Sequence, residues 1–126
     1  MNKKIINTSK APSPIGPYSQ AVLVGNTLYT SGQIAINPAN NELVTSTIKE
    51  ETKMVMENLK AVLEAAEMNF SHVVKCSIFI SNMNDFAQIN EVYGSYFTSD
   101  FPARETVQVA CLPKNLNVEI SAVAIK

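Results

Sequence analysis

Most sequence signatures of a specific chemistry or compartment are missing from this chain. Histidine occurs once, at His72, and cysteine twice, at Cys76 and Cys111, so no cluster of side chains has the spacing of a metal centre. No glycine-rich loop is present to cradle a phosphate. Serine-nucleophile signatures are also absent, and a serine triad would have to recruit the lone His72, which reads as a solvent-facing linker residue. No basic run exceeds Lys3-Lys4 and the net charge is −1, which disfavours a nucleic-acid or anionic-membrane partner. The N-terminus lacks the apolar core of a signal peptide, and no apolar run approaches the roughly 18 residues of a membrane helix, so a cytoplasmic protein is expected. Internal repeats and low-complexity segments are not evident.

What is there is a chain of 126 residues, 46% of them hydrophobic, enough for one domain (residues 1–126) with a real core. Lys4 to Asn7 reads as a short edge strand. Ser9 to Pro17, with Pro12, Pro14, Gly16 and Pro17, reads as ordered loop because proline fixes φ and donates no hydrogen bond. Ala21 to Val24 and Thr27 to Ile36 read as strands joined at Gly25-Asn26. Gly32 interrupts the second, which marks a bulge or a close approach by other atoms. After a loop from Asn37 to Val44, Ile48, Thr52, Val55, Leu59, Val62, Leu63 and Ala66 recur at helical spacing over about five turns. Ser46 or Thr47 caps that helix, with Glu50 placed to complete a capping box.

Val73 to Ser81 alternates as a strand with Val74, Cys76, Ile78 and Ile80 on one face. A second helix follows Asn82, its stripe formed by Phe86, Ile89, Tyr93, Tyr96 and Phe97. Asn90 falls inside that stripe, either as a buried amide satisfied by backbone or as support for a site. The stretch from Phe101 to Ile125 reads as a hairpin about Leu112-Pro113-Lys114-Asn115, with Val107 opposite Ile120 and Val109 opposite Val118. That register puts Val107, Val109 and Cys111 with Val118, Ile120, Ala122 and Ala124 under the helices. Arg104, Thr106, Gln108 and Ala110 go to the other face with Glu119, Ser121, Val123 and Ile125. Arg104 and Glu119 then lie roughly 13 Å apart along the strands, too far to neutralise each other. Both cysteines are expected as reduced core thiols. Two helices can cover only one face of a sheet, so the expected fold is an α+β two-layer sandwich whose open face, too apolar for full solvation, is covered by other copies of the chain.

Five blocks carry a family resemblance: Gly16-Pro17-Tyr18-Ser19-Gln20-Ala21, Ser31-Gly32-Gln33-Ile34, Asn90-Glu91-Val92-Tyr93, Phe101-Pro102-Ala103-Arg104 with Val107 and Val109, and Val118-Glu119-Ile120. In this order and spacing they resemble the RidA family, also called YjgF/UK114, over nearly the whole chain. The resemblance implies a chorismate-mutase-like fold with a mixed sheet, a homotrimer with sites between subunits, and cofactor-free, metal-free hydrolysis of 2-iminobutanoate and 2-iminopropanoate to 2-keto acids and ammonia, a metabolite damage-control activity. By the same resemblance Arg104 binds the substrate carboxylate, Glu119 positions water, and Tyr18, Ser31, Gly32, Thr106 and Asn90 line the site. Thr106 stands where the family shows cysteine or threonine, so a thiol-dependent mechanism is not expected.

Chemistry supports these roles in part. A guanidinium fork matches a carboxylate bidentately, and a carboxylate can orient water and steady a cationic imine nitrogen. Other readings stay open at each position: Arg104 as a surface strand residue, Glu119 in an interface ion pair, Tyr18 as an anchor of the proline loop. A non-catalytic small-ligand binder and an endoribonuclease or translation inhibitor are the alternative functions.

Overall fold

The computed structural model describes residues 2–126. Eight elements follow the expected order: strands β1 (Lys3–Ile6), β2 (Ala21–Val24) and β3 (Thr27–Thr30), helix α1 (Ile48–Ala65), strand β4 (Val73–Ile80), helix α2 (Phe86–Gly94), and strands β5 (Ala103–Gln108) and β6 (Val118–Ile125). The strands form one mixed sheet in the order β1-β2-β3-β6-β4-β5, with the two helices on one face. This is the α+β sandwich that the helix count predicts. None of the described helices is long and apolar enough to cross a membrane.

Helix α1 starts where Thr47, in extended conformation, accepts a hydrogen bond from the Glu50 amide at 3.0 Å. Removing that cap leaves an orphan N–H, so Thr47→Ala is expected to cost about 1 kcal/mol, read as a lower denaturant midpoint at unchanged m-value. The stripe Val55, Leu59, Val62 and Leu63 is fully buried against Ile78, Ile80, Val118 and Ile120 of the sheet. Burial of such side chains contributes on the order of 1.5–3 kcal/mol each.

The C-terminal hairpin does not form. β5 pairs in parallel with β4, Cys76 opposite Arg104 and Ile78 opposite Thr106, while β6 pairs antiparallel with the other edge of β4 and with β3. The reason is the helix between them: a strand–helix–strand unit returns its second strand parallel to the first, and β4 then lies between β5 and β6. The Leu112 to Asn115 stretch is accordingly a crossing connection, with Lys114 and Asn115 at positive φ.

This pairing inverts the faces of β5 but not those of β6. Arg104 and Thr106 point to the helix side, whereas Val107, expected in the core, is 41% exposed on the open face. Val118, Ile120, Ala122 and Ala124 are buried as expected, and Glu119 faces away from the helices. Of the cysteines, Cys76 is a buried free thiol, but Cys111 is exposed, because it lies in the connection beyond β5 and not on a core strand. His72 has a structural task in the Asn69–His72 connection, its Nδ1 accepting from the Asn69 amide at 3.0 Å.

The expected long strand through Ile36 ends at Thr30. β3 matches Tyr29 to Val123, but the next bridge pairs Gln33 with Ile120, so the β3 side holds one residue more than β6 over that interval. That is a bulge, and Gly32 sits in it.

Candidate active site

The bulge turns the chain over Glu119. A Cβ built on Gly32 would lie 2.5 Å from Glu119 Oε2 and 2.7 Å from its Cδ, contacts that no side chain tolerates. The close approach implied by a glycine inside a strand is therefore to this carboxylate. Ser31 is held on both sides: its amide donates to Gln20 O at 2.9 Å, and its hydroxyl donates to Ser19 O. Gln20 in turn is 2% exposed and pins the proline loop, accepting from the Thr8 amide and donating to the carbonyls of Thr8, Ala11 and Pro12.

These constraints enclose a cavity of about 380 Å³ whose lining includes Tyr18, Ser31, Gly32 and Glu119, with Pro12, Ile15, Ile34, Ile36 and Pro113 supplying apolar wall. Tyr18 stands half-exposed at the edge of the cavity, its amide donating to Gly16 O at 2.9 Å within the proline loop. Among the described residues no donor hydrogen-bonds the Glu119 carboxylate, and its partial burial pushes its pKa above the ordinary carboxylate value. A half-desolvated carboxylate without a fixed partner is suited to hold and deprotonate a water molecule.

Arg104 lies elsewhere. On the helix-side face its Nη1 donates to Asn90 Oδ1 at 2.6 Å, and the guanidinium carbon stands 5.2 Å from the Tyr93 ring centre and 5.5 Å from that of Phe86. Asn90 thus supports the arginine and does not serve the backbone. The two rings and the amide hold the planar fork in one orientation, with cation–π attraction adding to the hydrogen bond. Arg104 lines an open groove of about 620 Å³ with Ala87, Asn90, Glu91, Tyr93, Phe101 and Pro102. Beneath it, burial raises the Cys76 thiol pKa, which keeps that group neutral. Thr106 shares this face, its buried hydroxyl without a hydrogen-bond partner.

The candidate residues therefore form two groups. Glu119, Tyr18, Ser31 and Gly32 share the cavity beside the bulge; Arg104, Asn90 and Thr106 sit on the opposite side of the sheet, and neither group completes the other within one chain. The sequence reading placed Arg104 and Glu119 on one face, which the parallel pairing of β5 overturns. It also assigned no role to Glu51, Asn58 and Gln20, three buried polar side chains, of which Gln20 lines the cavity while Glu51 and Asn58 bond the backbone around it. The signal for the first two was present, since Glu51 stands four residues before Val55 and Asn58 three after it, on the buried stripe of α1.

Residues 8–126 match the model of the family described as Endoribonuclease L-PSP. The chain is 55% identical to a 2-iminobutanoate/2-iminopropanoate deaminase of Dermatophagoides farinae over 98% of its length and 96% of the relative's, and 48% identical to the human protein of that name over 98% and 90%. Among solved structures, Escherichia coli TdcF with bound serine superposes with a TM-score of 0.94 at 41% identity over 98% of both chains. RidA from an Antarctic Psychrobacter gives 0.94 at 43% identity, over 98% of this chain and 99% of that one. A family model spanning nearly the whole chain, and a fold shared throughout with RidA, place this protein in the RidA/YjgF (endoribonuclease L-PSP) family.

Proposed function

We propose that this protein is a 2-imino acid deaminase acting as a homotrimer, with Arg104 of one subunit meeting Glu119, Tyr18, Ser31 and Gly32 of a neighbour. The observation that carries the reading is the separation of two complementary half-sites: a preoriented cation with room beside it, and an unpartnered carboxylate in a cavity. The open sheet face supplies the contact surface, with Ile5, Tyr29, Val107 and Ile125 exposed on it at 51%, 52%, 41% and 47%. Apolar surface of that extent favours association with other copies. The names of the relatives supply the substrate class.

In this arrangement Arg104 takes the substrate carboxylate in its fork, which fixes C2 of the iminium. Glu119 accepts a proton as water adds to C2 and gives a carbinolamine. That proton passes to nitrogen, the C–N bond breaks, and ammonia leaves as the freed Glu119 carboxylate takes the C2 hydroxyl proton and the keto group forms; ammonia carries that proton away as ammonium. A ribonuclease reading needs phosphate contacts, and the net charge of −1 offers no field for them. A serine-holding relative favours a ligand sensor as the second reading. Purified protein added to a pyridoxal-phosphate threonine dehydratase decides between them: faster 2-keto acid release than spontaneous hydrolysis is expected, and binding without acceleration would leave only the sensor.

Glu119→Gln is expected to lower kcat about 100-fold with KM little changed, since it removes a base and keeps the size. The same change is expected to stabilise the protein at neutral pH. Burial raises the folded-state pKa of Glu119, so the ionised form penalises folding above that value. The advantage of the glutamine variant therefore shrinks as pH falls through the folded pKa and is gone below the unfolded one. Thermal midpoints of both proteins between pH 4 and 8 check the sign (an interval bracketing the ordinary value of about 4.3); a glutamine variant less stable at pH 8 than at pH 4, relative to wild type, contradicts it.

A further inference from the structure

Two carbonyl- and amide-binding side chains on α1 stand behind the Glu119 cavity without lining the catalytic carboxylate. Glu51 is 1% exposed, and its Oε2 accepts from the backbone amides of Asn117 at 2.7 Å and Val118 at 3.2 Å, while Oε1 accepts from Asn117 Nδ2 at 2.8 Å. Two turns on, Asn58 donates through Nδ2 to the carbonyls of Ile34 and Ile36, both at 3.0 Å. A buried carboxylate costs several kcal/mol in desolvation, and an apolar residue of similar volume is often the more stable choice. Three donors drawn from two consecutive residues offset that cost here, and they lie immediately before Glu119.

We propose that Glu51 is a positioning residue for Glu119, with Asn58 fixing the Ile34–Ile36 wall of the same cavity. The proposal rests on Glu119 acting in imine hydrolysis. Asn117 is held through its amide and side chain by Glu51, through its carbonyl by the Ser81 amide at 3.1 Å, and through Oδ1 by the Ser81 hydroxyl at 3.0 Å. Beyond Glu119, Ile120 exchanges hydrogen bonds with Gln33 at 2.8 and 3.1 Å. The backbone on either side of Glu119 is thus clamped, once from α1 and once from the bulge strand. The clamp matters because the Glu119 side chain lies directly over the Gly32 backbone, in the space a Cβ there would take, so a displacement of β6 at this point carries the carboxylate with it relative to the bulge. Catalytic groups generally need placement within about 0.5 Å, and a misplacement of about 1 Å costs on the order of 100-fold in rate.

Replacing Glu51 by glutamine leaves one acceptor and one donor where two acceptors stood, so one of the three donors from Asn117 and Val118 loses its partner. Glu51→Gln is expected to lower kcat per folded chain about tenfold with KM within about twofold. The pair Glu51→Gln with Asn117→Asp restores the match, because the new amide then donates to the new carboxylate, and kcat is expected to return to within about threefold of wild type. If Glu51→Gln fails to fold, Glu51→Asp keeps the charge, withdraws the oxygens from β6 and is expected to show the same loss. The 13C resonance of the Glu119 carboxylate gives a readout independent of turnover: it is expected to move in the single variant and return in the double one. An unmoved resonance, or a single variant whose thermal midpoint falls while kcat per folded chain is unchanged, overturns the inference. Absence of imine hydrolysis by the wild-type protein defeats the proposed function instead, and leaves the resonance test standing.

Discussion

Arg104→Lys is expected to fold and assemble like the wild type and to lose kcat/KM on imino acids by about 100-fold or more. Lysine keeps the charge but replaces a planar fork of donors with a point charge on a flexible stem. In the structure the fork is oriented before any substrate arrives, by Asn90 Oδ1 at 2.6 Å and by the Tyr93 and Phe86 rings at 5.2 and 5.5 Å. An ammonium in the same groove has no such registry, and the substrate's C2 would swing relative to the water held by Glu119. The loss should therefore appear in kcat as well as KM, whereas a purely electrostatic role would leave kcat intact. Mixing separately inactive Arg104→Ala and Glu119→Gln chains tests the division of the site between subunits. By random assortment into trimers roughly a quarter of the sites regain both residues, so activity near that fraction is expected; none is expected if one chain supplies the whole site.

Gly32→Ala is expected to fold but to lose about 100-fold in kcat, through Glu119 and not through the backbone. The new Cβ would stand 2.5, 2.7 and 2.9 Å from Oε2, Cδ and Cγ of Glu119. The backbone cannot retreat easily, since the flanking Ser31 amide is bonded to Gln20 O and Gln33 is bonded twice to Ile120. What yields is the carboxylate, which rotates out of its place in the cavity. A double-mutant cycle isolates the cause: Glu119→Ala should absorb most of the thermal destabilisation that Gly32→Ala produces alone. If Gly32→Ala destabilises equally in both backgrounds, the clash is with something other than Glu119.

The elements of this fold were legible in the residues because they depend on local rules. The helical spacing of Ile48 through Ala66 gave α1 with a cap at Ser46 or Thr47, of which Thr47 is the one that caps it, and the alternation from Val118 to Ile125 gave β6 with the correct faces. Gly32 within a strand pointed to a bulge or a close approach, and both occur at that residue. The motif blocks marked Arg104, Glu119, Tyr18, Ser31 and Gly32 as candidates, but alternation cannot say which face of a strand meets the core when its pairing partner and direction are unknown. β5 is such a strand, with Val107 on one side and Arg104 and Thr106 on the other. Its orientation was decided by α2, which forces parallel pairing with β4 and presents Asn90, Tyr93 and Phe86 to the arginine. The same long-range pairing moved Cys111 off the core and separated Arg104 from Glu119. Glu51 has the same character: a carboxylate on an apolar stripe reads as a flaw until the chain brings residues 117 and 118, more than sixty positions away, to its two oxygens. Sequence alone determined where the helices and most strands lie and which side chains are candidates for the chemistry; only the tertiary structure decided their neighbours, because strand pairing and buried polar contacts join residues whose separation along the chain leaves no local signal.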